Sequence, residues 1–218
     1  MNKNVMNIIR NYKTNVVIFD IDGTLKDLCR EHSNALKTTL EEFEVGKYRK
    51  KIVLAVNAIA MFIVKIGVIS TNPSKQNFLV NIFAVLSGVR LIDFYDMYFE
   101  NYIHELCLFE GASELLKSLN KDKMVYFATI NKQNYNLEGC GIPQERIMYT
   151  EGAFKVATYN ELLKSVNVNK DEVLIVGDNL FDDWFSAKHL GVKCLLVNRY
   201  NNKIKKIICR LVNGKHLR

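Results

Sequence analysis

The chain has 218 residues, 49% hydrophobic and 24% charged, with a formal net charge of +7. That size and mixture suit a globular protein with a sizeable core and room for a second small module, and two prolines with 11 glycines leave no low-complexity linker. The five cysteines (Cys29, Cys107, Cys140, Cys194, Cys209) are odd in number and form no C-x-x-C pair, which argues against a disulfide framework or a zinc site and for a reducing cytoplasm.

The opening MNKNVMNIIRNYKTN has neither an uninterrupted apolar run nor a small-residue cleavage site, so it does not read as a secretory signal. Residues 16–19, VVIF, predict a short buried strand, which runs into DIDGT with Asp20 and Asp22 one residue apart. From 26 to 108 no clear strand occurs. Helix-length segments begin there with CREHSNALKTTLEEFE, and the region reads as a helical insertion threaded into the first module. Within it IVLAVNAIAMFIVKIGVI (52–69) follows the basic KYRKK, as a membrane span often begins. Asn57 and Lys65 interrupt that run, and its length barely reaches the roughly 18 to 20 residues a span needs, so it predicts a buried or partner-facing helix.

Past the insertion, SELLKSLN from Ser113 predicts a helix, MVYFA (124–128) a strand closed by Thr129, and RIMY (146–149) another strand. Lys155 precedes a helix containing YNELLKSV from Tyr159. VLIV (173–176) then leads through Gly177, Asp178 and Asn179 to Asp182 and Asp183, at the start of a helix that stops at Gly191. A last strand is predicted at 193–197. The tail 199–218 holds many Lys and Arg and no acid. It reads as a solvated terminal helix, with an anionic membrane surface or nucleic acid as alternative partners.

Apolar strands separated by helices predict an α/β fold with a Rossmann-like parallel sheet covered on both faces, plus the inserted all-α module. Ligands of such sheets bind beyond the carboxyl ends of the strands, where Asp20, Asp22, Thr129 and Asp178 fall, with Asp182 and Asp183 one helical turn further on. Carboxylates gathered in a low-dielectric cleft repel one another unless a cation is present, and oxygen-only ligands suit magnesium. Taken singly, each residue has a plainer reading: D-x-D-G-T as a turn, Thr129 as a helix cap, Lys155 as a solvated lysine, Asp182 and Asp183 as acids in a first helical turn. The ordered set is what carries information.

That set resembles the haloacid dehalogenase superfamily over the whole length apart from the first dozen residues and the tail. Its first motif is similar to DIDGT (20–24), its second to the strand-terminal Thr129, its third to Lys155 and its fourth to GDNLFDD (177–183). The insertion looks like the helical C1-type cap of that superfamily, which implies a core of 1–25 and 109–218 and a cap of 26–108. Two departures stand out: Ile130 then Asn131 follow Thr129 where many relatives have Asn or Ser at once, and Val156 stands where a proline often follows the lysine.

The resemblance implies catalytic roles for Asp20, Asp22, Thr129 and Lys155. It implies a magnesium site of Asp20, the backbone carbonyl of Asp22, Asp178 and Asp183, and substrate contacts from Gly23, Thr24, Asn131 and Asn179. The expected activity is a magnesium-dependent phosphatase on a small phosphorylated metabolite. Asp20 would attack phosphorus to form an aspartyl phosphate, and Asp22 would pass protons to the leaving group and from water. Carbon–halogen cleavage does without an acid at that second position. A phosphomutase shares every catalytic residue and stays open, as do a nucleic-acid-end phosphatase and a membrane-associated, non-catalytic binding protein. Arg30, His32, Lys47, Arg49 and Lys75 are candidates for choosing the substrate. The partners expected are a small phosphorylated substrate rather than nucleic acid, a peripheral membrane contact through 52–69 or the tail, and a monomer or homodimer in the cytoplasm.

Overall fold

Among the described residues, five parallel strands form the sheet, in the order β3-β2-β1-β4-β5. The computed structural model describes residues 3–65, 73–102, 108–130, 137–150 and 155–197, without the side chains of 64, 65 and 73–76. Asn131, the tail 199–218, the Lys75 side chain and the end of the apolar run 52–69 lie outside the described residues. The strands are β1 (Val16–Phe19), β2 (Met124–Thr129), β3 (Ile147–Tyr149), β4 (Val173–Gly177) and β5 (Lys193–Leu196). Each lies within a residue or so of the apolar run that predicts it. All of β1 and β4 is buried, as a parallel strand covered on both faces requires.

The two-residue period of the strand splits the sheet's neighbours into two cores. Val17 and Phe19 face one cluster with Val125, Phe127, Leu115 and Leu119, while Val16 and Ile18 face another with Ala128, Ile175, Tyr159 and Ala187. The first is covered by α6 (Ala112–Asp122) and by α1 (Lys3–Asn11), which buries Ile9; the second by α7 (Val156–Val166) and α8 (Ser186–Leu190). The N-terminal helix has no counterpart in the sequence reading. Its nine residues are too few to declare a periodic face, and packing on α6 holds it.

Between β1 and α6 the described regular elements are helices: α2 (Leu28–Glu42), α3 (Lys47–Lys65), α4 (Pro73–Ser87) and α5 (Leu91–Asn101). They enclose a core of their own, built on Leu36, Leu40, Val53, Val80, Phe83, Phe94 and Tyr98. Asn57, which interrupts the apolar run of the sequence, is buried, and its amide donates to Ser33 Oγ at 3.1 Å. Among the described residues no helix is long and apolar enough to cross a membrane.

The chain enters and leaves this bundle by two adjacent strands of linker. Phe109 N–H donates to Leu25 O at 2.7 Å, and Lys26 pairs with Leu108 across an antiparallel bridge. Lys26 is fully buried there, with its ammonium 2.9 Å from Glu31 Oε2 and 5.8 Å from the centroid of the Tyr102 ring. His32, a candidate for meeting substrate, sits beside it inside the bundle. Its Nδ1 shares a hydrogen bond with Tyr98 OH, and its ring lies 4.9 Å from that of Tyr102. Burial, helped by the Lys26 charge, pushes the His32 imidazole down to about 4.

Candidate active site

Asp20 is the first residue beyond β1, and its N–H donates to Val176 O at 2.8 Å, so the sheet ladder itself sets its position. The register of β1 on β2 and β4 pairs Phe19 with Phe127 and Val176. Parallel strands in that register end together, and Asp20, Thr129 and Asp178 therefore emerge at one edge, as the sequence reading expected. Thr24, one turn on, donates its hydroxyl to Asp20 Oδ2 at 2.9 Å, and at 1% exposure its side chain serves to orient that carboxylate.

Asp183 arrives from the other side. After β4 the chain makes a π-helical turn, Leu180–Phe185, before α8, where the sequence pattern suggests an ordinary helix. The wide turn is closed by Trp184 N–H donating to Asn179 O at 3.3 Å, and Asn179 Oδ1 caps it by accepting from Phe181 and Asp182 N–H. Asp182 and Asp183 are both buried, but Asp183 is the one that turns toward Asp20.

A carboxylate oxygen from each of Asp20, Asp178 and Asp183 lies within 4.8 Å of the other two. Lys155, at the start of α7 and 3% exposed, donates from Nζ to Asp20 Oδ1 at 2.5 Å and to Asp183 Oδ1 at 3.0 Å. Tyr159, four residues further along α7 and so on the same helix face, donates its hydroxyl to Asp183 Oδ1 at 2.7 Å. Asn179 N–H completes the shell by donating to Asp183 Oδ2 at 3.0 Å.

Charge crowding is legible in the protonation equilibria. Burial pushes the Asp20 carboxyl up to about 7, with Asp183 and Asp22 adding to the rise and Lys155 opposing it. Asp178 is raised by burial first and then by Asp20 and Asp183. Burial alone would lower the Lys155 ammonium, but Asp183 and Asp20 outweigh it and hold it above its ordinary range. The Tyr159 hydroxyl is raised by burial and by the same two carboxylates. Three oxygen-donor carboxyls this close, with Asp20 and Asp178 raised by burial and by their neighbours' charge, fit a hard divalent cation, which would relieve the repulsion that burial amplifies.

Two glycines permit this packing. Gly23 has φ +86°, and a Cβ there would stand 2.3 Å from Asp178 Oδ2. At Gly177 the backbone is ordinary, but a Cβ would stand 2.1 Å from Asp183 Oδ2.

Asp22 is not one of the three converging carboxylates. Its Oδ2 accepts from Thr129 Oγ1 at 3.3 Å, so the second sequence motif engages the second aspartate. Its charge also reaches Glu31 of α2, whose carboxyl is raised by burial first, with Lys26 opposing and Asp22 adding. Of the other expected contacts, Gly23 and Thr24 lie against the carboxylates, Asn179 caps the π-turn, and Asn131 is outside the described residues. Sequence reasoning missed Tyr159, although its spacing from Lys155 was a usable signal. It also missed the Lys26–Glu31 pair, which no local pattern announces.

The family model for haloacid dehalogenase-like hydrolases matches residues 17–197. Among solved structures, the chain is similar to the HAD-hydrolase YfnB of Bacillus subtilis, bound to magnesium, with 19% identity and a TM-score of 0.61 over 86% of this chain and 90% of that one. A phosphatase of Clostridium difficile aligns at 20% identity and TM-score 0.57, over 85% and 86% of the two chains. A defluorinating L-2-haloacid dehalogenase, Rha0230, aligns at 14% identity and TM-score 0.55, over 85% and 82%. A search of curated proteins finds no match.

Proposed function

Given that this chain belongs to the haloacid dehalogenase-like hydrolases, we propose that it is a magnesium-dependent phosphatase acting on a small phosphate monoester. The observation that carries this reading is a division of labour among four carboxyls at one sheet edge. Asp20, Asp178 and Asp183 converge, and Asp22 stands apart beside the Thr129 hydroxyl. An alkoxide leaving from phosphorus needs a proton, whereas a halide leaving from carbon does not, so a separate second carboxyl has work to do only in the first chemistry.

Magnesium held by Asp20 and Asp178, with Asp183 beside them, would supply positive charge that lets an anionic nucleophile approach an anionic phosphoryl group. Thr24 and Lys155 hold the Asp20 carboxylate in place, and Tyr159 and Asn179 do the same for Asp183. An Asp20 oxygen attacks phosphorus, the bond to the leaving oxygen breaks, and Asp22 gives that oxygen its proton. Water then attacks phosphorus, Asp22 takes a proton from it, and the bond to Asp20 breaks to release phosphate. Lys155 donates to the phosphoryl oxygens, and Thr129 does so by turning its hydroxyl from Asp22 to the bound substrate, contacts worth roughly 2 to 4 kcal/mol each when preorganised. The helices between β1 and α6 act as a cap that selects the substrate.

The test presents the purified chain with p-nitrophenyl phosphate and, separately, with a 2-haloacid. The expected result is magnesium-dependent phosphate release that Asp20→Asn abolishes, and no halide release. Halide without phosphate, or equal phosphate release in excess EDTA, would overturn the reading.

A further inference from the structure

We infer that the outward face of α3 docks the protein on an anionic lipid bilayer, lying along the surface rather than crossing it. Tyr48, Ile52, Ala55, Ile59 and Phe62 are spaced alternately four and three residues apart, and all are exposed, so they form one stripe along the helix. Tyr48 is 79%, Ile59 62% and Phe62 55% exposed. The bundle core takes the opposite face through Val53, Asn57 and Met61. Most of the large apolar side chains exposed among the described residues belong to this insertion: those of the stripe on α3, and in addition Phe78 and Val85 on α4 and Leu91 and Ile92 on α5. An apolar concentration of this kind marks a contact surface.

Charge decides what the contact is. From Glu44 to Asp93 the sequence has no acidic residue, yet Lys47, Arg49, Lys50 and Lys51 crowd the start of α3. A helix N-terminus is the positive end of the backbone dipole, so local electrostatics disfavour cations there. Lys50 is matched by Glu41 at 2.8 Å and Arg49 reaches the Ser87 carbonyl, while Lys47 and Lys51 extend from exposed positions on the stripe's own flank. An anionic surface outside the chain offsets that placement. A second copy would offset it less, because a two-fold contact sets the same face, with its surplus of cations, against itself. Nucleic acid would satisfy the lysines and leave Ile59 and Phe62 in water. A bilayer takes both, with headgroups for the cations and the acyl boundary for the apolar stripe. At 19 residues α3 is about 28 Å long, enough for an interfacial helix.

The experiment floats the full chain on phosphatidylglycerol–phosphatidylcholine vesicles and on pure phosphatidylcholine vesicles, comparing it with Ile59→Glu/Phe62→Glu, Ile59→Ser/Phe62→Ser and Lys47→Gln/Lys51→Gln. These positions are exposed, and circular dichroism with thermal unfolding checks that each variant folds. The wild type should float with anionic vesicles and about tenfold less with neutral ones, and each variant should lose about tenfold on the anionic vesicles. Variants that bind as well as the wild type would overturn the proposal by placing the contact elsewhere, for instance in 199–218. A wild type that ignores vesicles, or one that dimerises through this stripe without binding lipid, would overturn it as well.

Discussion

Replacing His32 with glutamine should remove a defined pH dependence of stability. In the fold the imidazole is held near 4 by burial and by Lys26, against an ordinary value of 6.5. Below 6.5 the unfolded chain takes up a proton that the folded chain refuses, so the contribution is complete above 6.5 and is lost as the pH falls toward 4. The gap of about 2.5 units is worth about 3 kcal/mol in all, with a slope of about 1.4 kcal/mol per pH unit between the two values. Asp20 and Asp178, both raised, work in the opposite direction, and Glu31 beside Lys26 is raised too. The informative quantity is therefore the difference between wild type and His32→Gln, in which those groups cancel to first order. Urea denaturation across this range, with EDTA present throughout, measures it. The wild type's advantage over the variant should shrink by about 3 kcal/mol from neutral pH to about pH 4. A difference that stays flat would refute the reasoning, because it would mean that His32 is solvated or charged in the folded bundle.

In Asp22→Asn, nitrophenyl phosphate should still phosphorylate Asp20 while the attack by water lacks its base, so acid-quenched intact mass should show a phosphate-sized addition that alkaline hydroxylamine removes. A slow variant that never carries phosphate would count against Asp20 as nucleophile. Gly177→Ala should drive Asp183 from its three partners, because the new Cβ would stand 2.1 Å from Asp183 Oδ2; a loss of about 1–3 kcal/mol in denaturation and a higher magnesium requirement are expected. Tyr159→Phe removes the 2.7 Å hydrogen bond to the Asp183 carboxylate and should cost about 1.5–3 kcal/mol of stability, read by the same denaturation. Asp178→Ala should leave the metal-free melting temperature unchanged or raised, since it removes one of three mutually repelling carboxyls, while the magnesium needed for turnover rises; a large drop in that melting temperature would contradict it.

The sheet and its ligand edge are readable in the sequence, because their signals are local. Fully apolar strands such as VVIF, separated by helices, indicate a parallel sheet covered on both faces, and the residue after such a strand emerges at the carboxyl edge. Asp20, Thr129 and Asp178 could be assigned to one cleft on that argument alone. Tertiary structure decided what depends on distance across the chain. Which of Asp182 and Asp183 joins the trio turned on a π-helical turn, whose extra residue leaves no mark in an apolar pattern. Thr24 turned out to orient Asp20, and Tyr159 to hold Asp183, since side-chain direction follows packing rather than residue type. His32 shows the limit most clearly. A histidine in the first turns of an amphipathic helix can face solvent, substrate or core, and only the aromatic rings of Tyr98 and Tyr102, brought from the far end of the insertion, put it inside. The apolar stripe on α3 has the same origin: helical period identifies which residues share a face, but whether that face is covered depends on which neighbours the bundle supplies.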